Sequence, residues 1–181
     1  MQVERANERA RRHDLGDRVH FELANALELP YADASFDAAW AFESLFHMPD
    51  RVKALREIGR VVRPDGRIII ADIVEAVPLP EERKAAFLSA FTANILTPLD
   101  QYYQDLQTAG LTVLETIDIT RNTRPSMPAG NVVLQQPHIR EQLLNFFGDP
   151  ALVDSFGPYW ADLADTVERY IGYIILVARP T

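Results

Sequence analysis

The sequence predicts an α/β fold built on an open sheet with parallel strands, on three observations. Strand-like and helix-like stretches alternate along the chain, the order expected when helices cover a sheet. The run Ile68-Ile69-Ile70-Ala71 is apolar at every position, as a central parallel strand buried on both faces must be. Val52, Leu55, Ile58 and Val62 recur at helical spacing, which makes residues 51–62 an amphipathic helix able to lie on such a sheet.

Taken in order, residues 2–13 read as a polar helix with Gly16 in the turn that follows. Val19, Phe21 and Leu23 alternate with His20, Glu22 and Ala24. That is a strand with one wetter face, as expected near a sheet edge. Residues 29–35 carry turn chemistry, and Phe36–Phe42 is short and apolar enough for a buried strand. Asp50 is placed to cap the helix at 51–62. Arg63-Pro64-Asp65-Gly66 reads as a turn into the central strand. Helices follow at 81–95, with Phe87, Phe91 and Ile95 on one stripe, and at 100–109, capped by Asp100 and stopped by Gly110. A strand at 111–120, helices at 139–147 and 151–169, and an apolar strand at 170–179 complete the order.

The 181 residues suit one domain with a sizeable core. Hydrophobic residues at 48% and charged residues at 24% are ordinary globular values, which argues against disorder. No run of 18 apolar residues exists, so no membrane span is expected. The charged start, Met1 to Arg12, lacks the apolar region of a signal peptide. Zero cysteines exclude disulfides and thiolate metal sites, which fits a cytoplasmic protein, and no metal is expected. A net charge of -8 repels a phosphate backbone, so nucleic acid is not an expected partner. Arg9, Arg11 and Arg12 read as a solvated helix face.

Ligands of open parallel sheets lie beyond the carboxyl ends of the strands. Three such ends are legible: residues 24–26, residues 41–48 and Asp72-Ile73. Each sets polar groups beside apolar ones, as a small-molecule pocket requires.

Three segments carry a family resemblance. Residues 26–37, ALELPYADASFD, resemble the pattern A-x-x-L-P-F-x-D-x-S-F-D. Residues 43–50, ESLFHMPD, resemble E-S-L-H-H-M-P-D, and residues 60–66, RVVRPDG, resemble R-V-L-R-P-G-G. Together they resemble class I S-adenosylmethionine-dependent methyltransferases of the ubiquinone-biosynthesis-like type, and most of all the rebeccamycin-type sugar O-methyltransferases. Residues 118–126 resemble that subgroup too. The likeness runs from about residue 2 to the C-terminus.

The resemblance implies a Rossmann-like sheet with helices on both faces, S-adenosylmethionine as cofactor and a small-molecule acceptor as partner. Two departures stand out. The glycine-rich loop G-x-G-x-G and the acidic residue after the second strand have no counterpart, so the first strands are expected to be missing. The chain then reads as a single partial methyltransferase domain over 1–181. About 2–75 would be the rest of the cofactor-binding core, and about 76–181 the substrate-cap helices and C-terminal strands. The strand at 36–42 would lose a ladder partner. Phe46 stands where the subgroup carries the first of two histidines, leaving His47 as the second.

Roles follow residue by residue. Asn25 matches the position whose side chain accepts from the adenine amino group, and Asn keeps a carbonyl for that; it also suits an ordinary turn. Ala26 and Leu27 would cover the adenine. Ala41 would pass the methionine part, or is a small residue in a packed strand. His47 would act as general base, since imidazole titrates near neutrality, or would pack the helix at 51–62. Asp72 would orient His47 or bind a substrate hydroxyl, or cap a turn. Glu43 is a weaker candidate. Phe87, Phe91, Tyr102 and Tyr103 would wall the acceptor pocket if the helices at 81–109 form a lid.

The expected function is methyl transfer to a hydroxyl of a sugar or natural product. N- or C-methylation on the same scaffold is an alternative, as is a truncated inactive or partner domain, and a homo-oligomer is compatible with each. A nicotinamide-binding enzyme is disfavoured by the lack of G-x-G-x-x-G.

Overall fold

The computed structural model describes residues 2–126, 130, 132–133 and 136–181; Met1, at the head of the charged start, lies outside them. The order is α1 (Gln2–Arg12), β1 (Phe36–Phe42), α2 (Arg51–Val61), β2 (Val62–Glu75), α3 (Glu81–Ala90), α4 (Leu99–Thr108), β3 (Leu111–Asp118), a single turn α5 (Thr120–Thr123), α6 (Pro137–Phe147), α7 (Pro150–Tyr170) and β4 (Ile171–Pro180).

Four strands form one sheet in the order β1-β2-β4-β3. β1 and β2 run parallel, and β4 is antiparallel to both of its neighbours. The fold is thus α/β, with a mixed sheet and flanking helices. The central strand is parallel to its neighbour on one side only.

The main core lies between the sheet and α2 and α4. Ile68 and Ile70 of β2 and Leu176 and Ala178 of β4 meet Ala54, Leu55, Tyr102 and Leu106 there, all fully buried. A second cluster gathers Leu79, Phe87, Leu96, Leu163 and Ile171 around α3 and α7.

Helix ends follow local chemistry. Asp50 accepts from the Lys53 N–H at 2.8 Å, as an N-cap should. Asp149 caps α7 in the same way, and α6 and α7 both carry proline in their first turn. α4 starts one residue earlier than its sequence suggests, with Pro98 as its cap; Asp100 sits inside the first turn and accepts from the Gln101 N–H. Gly110, at φ +79, ends it. Residues 63–66 are an excursion within β2, where pairing jumps from Phe36–Val62 to Ala38–Arg67. A Cβ on Gly66 would lie 2.6 Å from the Asp37 carbonyl oxygen, so the close approach requires glycine.

The helix expected over 81–95 ends at Ala90, with Thr92 at φ +52 just beyond it, so Ile95 lies outside it. Two further expectations fail, for related reasons. Residues 19–24 form no strand. Alternation puts side chains on two faces, but a strand also needs a neighbour for its backbone groups. No strand does so here: the Asn7 side chain donates to the Phe21 carbonyl at 2.7 Å and accepts from the Phe21 N–H at 2.9 Å, and the Val19 N–H donates to the Leu15 carbonyl at 2.8 Å. β1 forms as expected but is not buried. Ala41 faces the core, while Trp40 is 81% and Phe42 70% exposed on the opposite face. No described residue covers that face, and β1 is the edge of the sheet.

Candidate active site

The parallel pair β1 and β2 delivers its carboxyl ends to one place. Glu43 follows β1 at φ +44, a left-handed backbone uncommon for a non-glycine residue and often found at functional sites. Its N–H donates to the Ala71 carbonyl at 2.8 Å, which fixes the bend. Asp72 lies one residue past the end of the β1–β2 ladder, 1% exposed.

Asp72 is fully engaged. One oxygen accepts from the Ile73 N–H at 2.9 Å and the other from the Tyr102 hydroxyl at 2.9 Å. Burial pushes its pKa up to about 6, although these two bonds and the Arg51 charge pull it back; the Glu43 charge adds to the rise. Burial and the Asp72 charge push the Tyr102 phenol well up, so it stays a neutral donor. The Arg51 guanidinium lies 4.0 Å from the Tyr102 ring centre and donates to Asp105 at 2.9 Å and Thr97 at 2.8 Å. A buried cation is thereby paired, hydrogen-bonded and stacked.

His47 ends a short turn, Leu45–His47, and is exposed. Its Nδ1 lies 3.0 Å from the Thr92 carbonyl. A carbonyl only accepts, so Nδ1 carries the proton and Nε2 is left as the basic nitrogen. The ring packs on Phe46, centroids 4.2 Å apart. His47 and Asp72 are not hydrogen-bonded: Thr92 engages the first, Ile73 and Tyr102 the second.

A pocket of about 290 Å³ opens beside these residues. Phe46, Ile73, Phe87 and Phe91 give it apolar walls, while Glu43 and Tyr173 meet across it. The Tyr173 hydroxyl donates to Glu43 Oε1 at 2.7 Å. Burial and that bond push the Tyr173 phenol up, so it too stays protonated. Phe87 and Phe91 take the wall positions expected of them. Tyr102 lies beneath Asp72 instead, and Tyr103 bonds Thr116 on β3.

On the other flank, residues 25–33 form a loop that precedes β1. Asn25 is exposed, and its side-chain carbonyl accepts from the Leu27 N–H at 3.0 Å. Ala26 and Leu27 are half-buried, and Ala41 is 6% exposed. Arg60 holds this loop to α2. It donates to the Leu29 carbonyl at 2.9 Å, the Tyr31 carbonyl at 2.8 Å, Asp33 at 2.7 Å and Glu57 at 2.8 Å. The Arg60 bond holds the Glu57 carboxyl down at about 2, helped by the Leu29 N–H.

Asn25, Ala26 and Leu27 have the chemistry of one wall of an S-adenosylmethionine site, an acceptor beside apolar cover, while Ala41 lies in the core cluster. They hold no counterpart for the carboxylate or ribose. No two of the eight glycines lie within six positions of each other, so no glycine-rich turn is among them.

The sequence missed three features. Glu43 and Tyr173 are 130 positions apart, and no periodicity links them. Arg51 was legible only as a charged residue in a helix, without the Asp105 and Tyr102 that bury it. Arg60 was visible in its motif, but not as the link to the motif at 26–37.

Comparison with known proteins places these features in context. Residues 1–70 match the family model described as a methyltransferase domain. The chain is 42% identical over 180 residues to methyltransferase GfsG of Streptomyces halstedii, covering 98% of this chain and 62% of that protein. It is 40% identical over 182 residues to the 27-O-demethylrifamycin SV methyltransferase of Amycolatopsis mediterranei, covering 98% and 65%. The chain thus spans somewhat under two thirds of the length of these relatives. Geranyl diphosphate C-methyltransferase from Streptomyces coelicolor, solved with S-adenosyl-L-homocysteine, superposes with a TM-score of 0.78 at 17% identity, covering 99% of this chain and 60% of that one. This last likeness is one of fold.

Proposed function

We propose that the chain is a class I S-adenosylmethionine-dependent methyltransferase, like the proteins it resembles, and that it methylates a hydroxyl of a small-molecule acceptor. The observation that supports this reading is the pocket beyond β1 and β2, with Glu43 and Tyr173 set against apolar walls. Such an arrangement can hold an apolar molecule by its body and a hydroxyl by its oxygen.

Bound cofactor supplies an electrophilic methyl group, so the residues of the chain need only align the acceptor and take up its proton. In this reading Asn25 Oδ1, which has a second lone pair beside the Leu27 N–H, accepts from the adenine amino group. Ala26 and Leu27 cover the ring, and Ala41 leaves room at the end of β1. His47 Nε2 removes the hydroxyl proton. Asp72 is the second catalytic candidate, and it would have to exchange its bond to Ile73 or Tyr102 to act on the acceptor or the imidazole. We read 2–75 as the cofactor core and 76–181 as cap helices and closing strands of one domain, 1–181. Among the described residues no helix is long and apolar enough to cross a membrane. We take the protein to be cytoplasmic, on its lack of cysteine, and to act on small molecules, with a homo-oligomer as its assembly.

Calorimetry with S-adenosylhomocysteine and turnover with hydroxylated acceptors test the reading. Asn25→Leu should weaken cofactor binding about tenfold, the cost of an unpaired donor. His47→Ala should cut kcat by about 10²–10⁴ while cofactor affinity holds. Full turnover by His47→Ala at every pH would remove it as the base. Light scattering reports the assembly.

A further inference from the structure

We infer that Glu43, held by Tyr173, is the hydroxyl-recognising group of the pocket, and that the pocket takes a lipophilic alcohol rather than a bare sugar. This rests on the methyltransferase reading for its purpose, but not for its geometry.

The pocket holds about 290 Å³ and is open on one side, so it admits the hydroxyl-bearing end of a molecule and sets no limit on the rest. The chemistry follows from which polar groups are already engaged. At the outer end, Thr123 donates to the Thr120 carbonyl at 3.1 Å, and Ser126 donates to the Thr123 carbonyl at 2.6 Å. Arg124 also lines this end; the Asp118 carboxyl near it is held low mainly by its bonds to Thr120, with the Arg124 charge adding a little. Phe46, Ile73, Phe87, Phe91, Val167 and Ile171 offer nothing polar from their side chains. Among the described residues, Glu43 receives one side-chain bond, from Tyr173, and its second oxygen points to no other donor. A sugar carries several hydroxyls, and those out of reach of Glu43 and of the Arg124 end would stay unpaired against the apolar side chains that form most of the wall, at a cost for each. A molecule with one hydroxyl and an apolar body leaves none.

The backbone supports the same assignment. Glu43 sits at φ +44 with its N–H fixed on Ala71. Tyr173 is fixed in turn, its N–H donating to Thr120 Oγ1 at 2.9 Å and its residue paired with Ile73 across the β2–β4 ladder. Glu43 is therefore a specificity-determining residue and Tyr173 its positioning partner.

Binding of three probes to the full chain without cofactor tests this by ligand-observed NMR titration. The probes are geraniol, its hydrocarbon counterpart 2,6-dimethyl-2,6-octadiene, and methyl glucoside. Geraniol should bind about 10–100-fold more tightly than the hydrocarbon, the worth of a hydrogen bond to a charged acceptor, and methyl glucoside more weakly than either. Glu43→Ala should bring geraniol down to the hydrocarbon's affinity and leave the hydrocarbon unchanged. Tyr173→Phe should narrow the ratio in part. Phe91→Ala should weaken both lipophilic probes equally, which separates the wall from the polar group. Methyl glucoside binding as well as geraniol, or an unchanged ratio in Glu43→Ala, would overturn the inference while leaving methyl transfer intact. The expected binding pattern without methyl transfer would instead defeat the proposed function alone.

Discussion

The two sides of the central strand β2 carry similar residues and meet opposite conditions. On the β4 side, Leu176 and Ala178 are fully buried beneath α4 and the sheet. On the β1 side, Trp40 is 81% exposed, and Leu23 beyond it is 92% exposed. The apolar pattern states what a residue would gain from burial. Whether it is buried depends on a second layer, and the two sides differ in having one.

The ion pairs repeat the contrast and offer its largest test. Arg51 is 2% exposed as a side chain against Asp105 at 16%, whereas Arg63 and Asp37 on the β1 side are 53% and 84% exposed. Arg51→Ala should cost about 3–5 kcal/mol by urea unfolding, because Asp105 is left without its partner. Arg63→Ala should cost at most about 1 kcal/mol. Similar costs for both would mean that the two sides are equally sealed.

Leu176→Ala should lose about 2–5 kcal/mol, the removed methyl groups plus the cavity. Trp40→Ser should stay within about 0.5 kcal/mol of the parent. A large loss at Trp40 would place a covering layer over β1 in solution.

Asp72 sharpens the comparison on the packed side. Its pKa rises from 3.8 unfolded to about 6 folded, so the folded state holds the proton more tightly. That stabilising contribution is complete below pH 4 and is lost as the pH rises through 6. Asp72→Asn should therefore raise stability by about 1–3 kcal/mol at pH 8 and by almost nothing at pH 4. Equal gains at both would mean that the carboxyl is not desolvated.

The smallest signal is kinetic. Amides of β1 bonded to β2 should exchange slowly, while residues 19–24 should exchange at nearly open-chain rates, apart from Val19 and Phe21, whose N–H groups are bonded to Leu15 and Asn7. Protection across all of 19–24 would reveal a strand partner.

The same contrast explains what was legible in the sequence. β1, α1 and α2 lie within a residue of their expected bounds, because caps, turns and periodicity are local. Residues 19–24 carried a sound strand pattern and still formed none, because pairing is not local. At the candidate site, the clustering of Glu43 and Asp72 could be read from strand ends, since parallel strands deliver their ends together. The pairing of Asp72 with His47 could not be tested in that way. Tyr102 and Thr92, 30 and 45 positions away, occupy the bonds that the pairing would have used. Tyr173 was hidden in an apolar final strand, where an aromatic residue looks like core.

The Arg60 bonds have a consequence for anyone grafting segments between relatives. Leu29 and Tyr31 offer carbonyls, and Asp33 and Glu57 offer carboxylates, all turned toward one flat five-donor group. A lysine there could not reach both edges of that arrangement at once. A loop transplanted without its arginine, or an arginine without its loop, would import half of a lock. The exchangeable cassette is therefore residues 25–33 together with α2, even though the two are separated by a strand in the sequence.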